Sequence, residues 1–163
     1  MTGSVSSAPP VALWRSLLFV PGARPDRFEK ACAAGADLVC IDLEDAVAPG
    51  EKAEARAATL AFLAEYTDRP CGVGLRVNEV GTPEGTADLK AIVGAPGLDF
   101  VMIPKVRGTD DLDAVHHAFG QDLLIPVLES ARAIQRADEI ADHQGVAAAL
   151  YGAIDLSADI GCD

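Results

Sequence analysis

Short apolar runs recur along the chain, separated by segments that contain glycine, proline and charged residues. Each run has four to six residues, and several are rich in valine and isoleucine. Runs of this kind are too short for helices and are typical of strands buried on both faces of a parallel sheet. The pattern predicts six strands, at residues 17–20, 38–43, 72–77, 100–103, 124–128 and 146–151.

Helix-like segments lie between the predicted strands. Pro25 favours a helix start and Gly35 a helix end, and Thr109 is suited to cap the helix that begins with Asp110. Strands that alternate with helices predict an α/β fold with a parallel sheet. No sixth helix is predicted after the last strand. The predicted helices cover residues 25–34, 51–66, 110–119 and 131–141, with a weaker one at 86–93.

Composition limits the size and class of the protein. The 163 residues are 50% hydrophobic but only 5% aromatic, which predicts one domain with an aliphatic core. We assign residues 13–163 to that domain and residues 1–12 to a flexible tail, which lacks the features of a secretory signal. The length is below the roughly 250 residues of a complete eight-stranded (β/α)8 barrel.

Charge and cysteine content limit which partners, cofactors and cross-links the protein is expected to have. The net charge is −12, from 25 acidic and 13 basic residues, which argues against binding of nucleic acid. No uncharged run approaches the ~20 residues of a membrane-spanning helix. Four scattered cysteines form no CxxC motif, so we expect a reduced, cytoplasmic protein without structural disulfides or zinc. No GxGxxG or Walker loop indicates a nucleotide site.

Charged residues follow five consecutive predicted strands. Because the carboxyl ends of parallel strands meet on one face, these side chains are expected to converge there. Converging carboxylates repel unless a cation relieves them, and Mg²⁺ typically takes one or two carboxylates. An arginine among them could hold a substrate carboxylate bidentately. The residues are Asp42, Glu44, Arg76, Lys105, Glu129 and Asp155.

Alternatives remain for individual residues. A charge after a strand is often only the first solvated loop residue, although five in register argue against that explanation for all of them. Asp42 could cap a loop or pair with Arg15 or Arg76. Lys105 could form a Schiff base, but a structural ion pair is favoured. His116 and His117 point to different sides of a helix, so they predict surface residues and no shared metal site.

Six ordered motifs resemble the citrate lyase β-subunit-like branch of the HpcH/HpaI aldolase family, which includes malyl-CoA and citramalyl-CoA lyases. The resemblance implies a TIM (β/α)8 barrel, present here as an incomplete barrel of about six βα strands. It also implies Mg²⁺-dependent carbon–carbon lyase activity on hydroxyacyl-CoA thioesters and a homo-oligomer, a trimer or hexamer. The motifs are Arg15-Ser-Leu-Leu-Phe-Val-Pro-Gly22, Asp42-Leu-Glu-Asp-Ala46, Leu75-Arg-Val-Asn78, Met102-Ile-Pro-Lys105, Val127-Leu-Glu-Ser-Ala-Arg132 and Gly152-Ala-Ile-Asp-Leu156.

The resemblance also implies roles for individual residues. Glu129 and Asp155 correspond to the two metal ligands, and Arg76 to the residue that binds the substrate carboxylate. Arg15, Asp42 and Glu44 correspond to a supporting polar network, and Asp42 and Glu44 join Arg76 as catalytic candidates. The remaining substrate-binding candidates are Arg15, Ala153 and Ile154.

Two departures from the family pattern limit what the resemblance implies. Residues 39–44 contain no histidine, which disfavours the branch that acts on free hydroxy-oxo acids. The lyase relatives continue beyond this length, and their C-terminal segment carries an acidic catalytic residue, so no general acid or base is assigned here. Two alternatives to a lyase therefore stay open: a truncated, non-catalytic protein that binds a metal and an oxo acid or assembles with a partner, and a malate-synthase-like condensing enzyme.

Overall fold

The computed structural model describes residues 13–162. The predicted flexible tail, residues 1–12, lies outside the described residues. Within the described part, parallel strands alternate with helices along the chain, which confirms the predicted α/β class. The strands are β1 (Leu17–Pro21), β2 (Leu38–Asp42), β3 (Gly72–Arg76), β4 (Phe100–Ile103), β5 (Leu124–Leu128) and β6 (Leu150–Tyr151).

The last strand is shorter than predicted. Only Leu150 and Tyr151 pair with β5, whereas Val146 forms an isolated bridge to Leu124. The chain bends at Ala147, so the apolar run contacts β5 at two separate places instead of along a continuous ladder. The other strands agree with their predicted limits to within one residue.

The helices differ from the predictions in five places. The segment predicted at 25–34 is a 3-10 helix at Pro25–Arg27 followed by a short α-helix at Phe28–Cys32, and the weaker helix predicted at 86–93 begins earlier, at Pro83. The predicted helix at 131–141 is two short helices that meet at Arg136, whose backbone N–H is shared between the carbonyls of Arg132 and Ala133. Gly108, not Thr109, is the N-cap residue of the next helix upstream. A helix that was not predicted follows β6, and only Leu156 in it is buried, so it lacks a clear apolar face. The helices are α1 (Phe28–Cys32), α2 (Lys52–Glu65), α3 (Pro83–Ile92), α4 (Thr109–Phe119), α5 (Ala131–Gln135), α6 (Ala137–Ala141) and α7 (Ala153–Ile160).

The described residues form two compact units. Residues up to 76 together with 94–100 make the first, which contains β1, β2 and β3 paired in that order. Its register places Pro21 beside Asp42 and Asp42 beside Arg76. Aliphatic side chains of β2 and β3 fill its core together with Phe28 and Leu63.

The second unit contains residues 77–93 and those from 101 onward. Its strands β4, β5 and β6 are parallel and follow one another in chain order. The helix α4 closes one side through Leu112 and Val115, which are fully buried. This placement confirms the predicted inward face of that helix.

None of the four cysteines forms a disulfide, which agrees with the expectation of no structural disulfides. Cys32, Cys40 and Cys71 are buried thiols, and Cys162 is exposed. Burial raises the pKa of the Cys40 thiol, which keeps it protonated and unreactive. In residues 13–162, no helix is long and apolar enough to cross a membrane.

Gly74 in β3 provides a test of the packing in the first unit. A Cβ at this position would overlap the carbonyl oxygen and the ring of Phe100, whereas a Cβ at Gly50 would meet open space. We expect Gly74→Ala to lower the free energy of unfolding by about 1–3 kcal/mol through overpacking. Gly50→Ala is the matched control and should leave stability unchanged or slightly higher. Urea unfolding of both variants measures the difference, and equal stabilities would contradict this packing.

Candidate active site

Asp42 and Arg76 end neighbouring strands and form a two-point ion pair. Arg76 donates from Nε to Asp42 Oδ1 at 2.8 Å and from Nη2 to Asp42 Oδ2 at 2.6 Å. The parallel register of β2 and β3 places the two residues side by side, so the strand pairing itself creates this contact. The structure thus selects Arg76, and not Arg15, as the partner of Asp42.

Glu44 extends the pair into a buried triad. Its Oε2 lies 3.0 Å from Arg76 Nη1, and the exposed fractions of the Arg76 and Glu44 side chains are 16% and 6%. Burial by itself lowers the pKa of Arg76, but hydrogen bonds and charge from Asp42, with the charge of Glu44, outweigh it and raise that pKa. The guanidinium also lies 5.4 Å from the centre of the Phe19 ring. Arg76 is therefore a fixed, permanently charged group.

Asp42 also organises the loop that follows β2. Oδ1 accepts a hydrogen bond from the backbone N–H of Glu44 at 2.9 Å, and Oδ2 accepts one from Ala46 at 3.1 Å. Both oxygens already accept from Arg76, so the carboxylate is engaged on every side. This arrangement favours a positioning role for Asp42 over proton transfer.

Lys52 is a member of this network that the sequence pattern did not indicate. Its Nζ donates to the backbone carbonyls of Leu43 at 2.8 Å and Glu44 at 2.6 Å. Lys52 is the first residue of α2, and a cation is unfavourable at the positive end of a helix dipole. The sequence signal for this role was a lysine at the first position of a helix, because a cation there needs a compensating partner.

Arg15 does not belong to the Asp42 network. Its Nη2 donates to Asp37 Oδ1 at 2.8 Å, and its side chain is 81% exposed. Arg15 precedes β1 and Asp37 precedes β2, so the pair lies at the amino ends of strands whose carboxyl ends carry Pro21 and Asp42. The expectation that Arg15 supports Asp42 and Glu44 is therefore wrong, because the motif places Arg15 one strand length away from them.

Glu129 is the buried carboxylate of the second unit. It follows β5, and its exposed fraction is 5%. Its Oε1 accepts a hydrogen bond from the backbone N–H of Lys105 at 2.5 Å. A Cβ at Gly152 would lie 2.6 Å from Glu129 Oε2, so only glycine leaves room for this carboxylate. Lys105 and Glu129 are thus brought together, as the strand ends predicted.

Asp155 lies in the first turn of α7, the helix that begins beside Glu129. Gly152 is its N-cap residue and donates its N–H to Leu128 O at 3.0 Å, which ties the helix start to the end of β5. The exposed residues Ala153 and Ile154 precede Asp155, and their N–H groups have no intrahelical acceptor. The start of α7 therefore presents the Asp155 carboxylate together with two backbone N–H groups that no carbonyl of the helix accepts from.

The donor set of Glu129 and Asp155 fits a hard divalent cation. Both supply carboxylate oxygens, and Mg²⁺ commonly uses one or two protein carboxylates with water and substrate in its other positions. In residues 13–162, no group of three or more His, Cys, Asp and Glu side chains is arranged to hold a metal.

The histidines lie outside these clusters. His116 Nε2 is 2.7 Å from Asp122 Oδ1, and the His116 ring packs edge-on against His143 at 5.7 Å. That His116 and His117 form no metal site together stays a prediction.

Comparison with known proteins places the chain in a family. Residues 15–163 match the HpcH/HpaI aldolase/citrate lyase family. The chain is 38% identical over 150 residues to a (3S)-malyl-CoA thioesterase of Cereibacter sphaeroides, covering 91% of this chain and 52% of that protein. It is 34% identical over 174 residues to an L-malyl-CoA/beta-methylmalyl-CoA lyase of the same species, covering 99% of this chain and 55% of that protein.

A solved structure confirms the fold. The citrate lyase beta subunit from M. tuberculosis, complexed with oxaloacetate and magnesium, matches with a TM-score of 0.76 and 34% identity, over 90% of this chain and 61% of that one. The likeness confirms the predicted fold class, an incomplete (β/α) barrel with six strands in this chain. The chain spans about half the length of the curated relatives it matches.

The burial of the Asp42–Arg76 pair can be tested against an exposed ion pair of the same geometry. Arg24 and Asp26 form the same two-point contact, at 2.8 and 2.7 Å, on the exposed surface. Asp42→Asn removes a buried charge partner from Arg76 and should destabilise the protein by about 3–5 kcal/mol. Asp26→Asn should leave stability nearly unchanged, because an exposed ion pair contributes little. Denaturant unfolding measures both, and similar effects of the two substitutions would contradict the assigned burial.

Proposed function

Because the chain belongs to the HpcH/HpaI aldolase/citrate lyase family, we propose that it provides the metal and oxo-acid site of a Mg²⁺-dependent carbon–carbon lyase. Its substrate would be a hydroxyacyl-CoA thioester of the citryl-, malyl- or citramalyl-CoA type. The observation that carries the proposal is Glu129, a buried carboxylate fixed by the Lys105 N–H and accommodated by Gly152. A buried carboxylate held in one orientation is suited to hold a cation.

Glu129 and Asp155 would hold the Mg²⁺ ion. Glu129 follows β5 and Asp155 lies on the helix that begins beside it, so each ligand has a separate rigid support. When bound, the ion would stabilise the negative charge that develops on the oxygens of the oxo-acid half. Support comes from the M. tuberculosis citrate lyase beta subunit, whose structure contains magnesium and oxaloacetate.

Each unit by itself offers a candidate for binding a substrate carboxylate, Arg76 in the first unit and the start of α7 in the second. The pair with Asp42 occupies the Nε and Nη2 edge of the guanidinium and fixes its plane, so the group is already oriented before an anion binds. The backbone N–H groups of Ala153 and Ile154 are free of intrahelical acceptors and favour an anion at the helix start. Asp42, Glu44 and Lys52 would act by holding Arg76 and its loop in place.

The cleavage itself transfers one proton and one electron pair. The substrate hydroxyl loses its proton to a base, its oxygen forms a carbonyl, and the adjacent carbon–carbon bond breaks. The electron pair of that bond remains on the acyl-CoA fragment as an enolate, which is then protonated. Asp42 is not suited to be the base, because both of its oxygens already accept hydrogen bonds.

Thioester hydrolysis is a second candidate. One observation favours it, because the relative that is 38% identical to this chain is named a (3S)-malyl-CoA thioesterase. Hydrolysis would use the same carboxylate and metal groups to bind the malyl half, but would break the carbon–sulfur bond and release coenzyme A as a free thiol. The non-catalytic binding protein considered above would retain the binding and form neither set of products.

Cation binding tests the assignment of Glu129 and Asp155. Glu129→Gln and Asp155→Asn keep the side-chain shapes but remove the charges, and each should weaken Mg²⁺ or Mn²⁺ binding by at least about tenfold. Asp138→Asn is the control, because Asp138 is an exposed acid on α6. Isothermal titration calorimetry with Mg²⁺ and electron paramagnetic resonance with Mn²⁺ measure the affinity. Unchanged affinity in both site variants would refute the metal assignment.

Product analysis separates the two reactions. Incubated with malyl-CoA and Mg²⁺, a lyase forms glyoxylate and acetyl-CoA, whereas a thioesterase forms malate and free coenzyme A. We expect glyoxylate, and we expect Arg76→Met to lower its rate of formation by about 10- to 100-fold through the loss of a charge-assisted hydrogen bond. Arg24→Met, at an exposed pair, is the control. Free thiol without glyoxylate would favour hydrolysis, and absence of both products would favour the binding protein.

A further inference from the structure

Cys32 and Cys71 form a pair of thiols that lies outside the candidate active site. Cys32 is the last residue of α1, and Cys71 immediately precedes β3. Each residue is 1% exposed, and the two side chains are hydrogen-bonded to each other. Two thiols in hydrogen-bond contact can join as a disulfide without the large backbone movement that distant cysteines would need.

The register of the sheet explains why two residues so far apart in the sequence meet. Gly72 pairs with Leu38 at the starts of β3 and β2, and the Gly72 N–H donates to the carbonyl of Asp37 at 3.1 Å. Cys71 therefore lies beside the loop that connects α1 to β2, and Cys32 ends the helix that leads into this loop. The contact lies wholly within the first unit, at the edge opposite the charged strand ends.

Arg69 supplies positive charge near the pair. Its side chain is 3% exposed, and its Nη2 donates to the carbonyl of Gly97 at 2.6 Å and to Asp99 Oδ2 at 3.2 Å. Within residues 13–162, the buried Nε and Nη1 of Arg69 have no hydrogen-bond partner, so a further negative charge nearby would be stabilised.

The two thiols are not equivalent. The hydrogen bond from Cys32 lowers the pKa of Cys71 against the opposing effect of burial, and the charge of Arg69 lowers it further. The same hydrogen bond, together with burial, raises the pKa of Cys32. The thiolate is the nucleophilic form of cysteine, so Cys71 is the better nucleophile and Cys32 the thiol placed to react with it afterwards.

Both thiols lie directly beneath the surface. Residues 33–35, which follow Cys32, are exposed, and so is Pro70, which precedes Cys71. The helix α1 has only five residues, and the ends of such short helices open locally at a small cost in free energy. Local opening therefore admits a small oxidant. Cys40 differs from this pair, because it lies within β2 and is completely buried.

We propose that Cys32 and Cys71 are a redox-active pair that hydrogen peroxide oxidises to a reversible disulfide. The Cys71 thiolate attacks one peroxide oxygen, the oxygen–oxygen bond breaks, and the departing hydroxide takes up a proton to form water. The sulfur of Cys32 then attacks the sulfenic acid on Cys71, the sulfur–oxygen bond breaks, and the hydroxide leaves as water with the proton of Cys32. Both sulfurs are oxidised, and one peroxide is reduced to two waters. A small thiol reverses the reaction by exchange.

The disulfide would join the end of α1 to the residue before β3 and enclose β2 and α2 in a covalent loop. A cross-link of this kind restricts the unfolded chain, so the oxidised form should resist unfolding better than the reduced form. Oxidation of the pair requires no metal and no substrate, so it is independent of the proposed function.

Peptide mapping of the intact chain tests the pair directly. After treatment with hydrogen peroxide and alkylation of the remaining thiols, we expect a peptide that links Cys32 to Cys71, and dithiothreitol should remove the link. The tryptic peptide that carries Cys32 also carries Cys40, so fragment masses assign the linked residue. Oxidation should also raise the urea midpoint of unfolding by about 1–2 M.

Substitutions separate this pair from the other cysteines. Cys162→Ser is the matched control, because Cys162 is exposed, and it should keep both the link and the rise in midpoint. Cys71→Ser should lose both. Cys32→Ser should leave a sulfenic acid on Cys71, which dimedone traps. If either variant of the pair does not fold, the map of the original chain still decides. Absence of the Cys32–Cys71 link in peroxide-treated chain would overturn the proposal, and so would an equal rise in midpoint in Cys71→Ser.

Discussion

A carboxylate buried at the end of a strand must be compensated, and the functional residues of this chain are arranged around that constraint. Asp42 and Glu129 both lie after or at the end of apolar strands and are almost inaccessible to solvent. Taking a charge out of water costs several kcal/mol unless hydrogen bonds or an opposite charge replace the lost hydration, so roughly that amount must be recovered locally. Each unit meets this requirement with different chemistry.

The first unit compensates its carboxylate with a cation. Arg76 supplies two hydrogen bonds to Asp42, and the loop supplies two more from its backbone. One charged pair thereby orders the end of β3, the end of β2 and the loop that carries Glu44. Lys52 secures the same loop from the next helix. The guanidinium consequently has a fixed plane, which is the property that recognition of a carboxylate requires.

The second unit orients Glu129 through backbone groups. The Lys105 N–H donates a hydrogen bond to Glu129 Oε1, and Oε2 lies in the space that a Cβ at Gly152 would need. A carboxylate oriented in this way suits the cation-binding role proposed for it.

The sequence by itself determined the alternation of strands and helices, the charged strand ends and the family, because apolar periodicity and ordered motifs are local properties of the chain. It left the partner of Asp42 open, since Arg15 and Arg76 were both available. Only the tertiary structure decided between them, because strand register, set by burial of whole strands, places residue 42 beside residue 76. The hydrogen bond from the Lys105 N–H to Glu129 and the contact of Gly152 with Glu129 likewise arise from how separate segments pack. No local pattern encodes such contacts, because each depends on residues more than twenty positions apart.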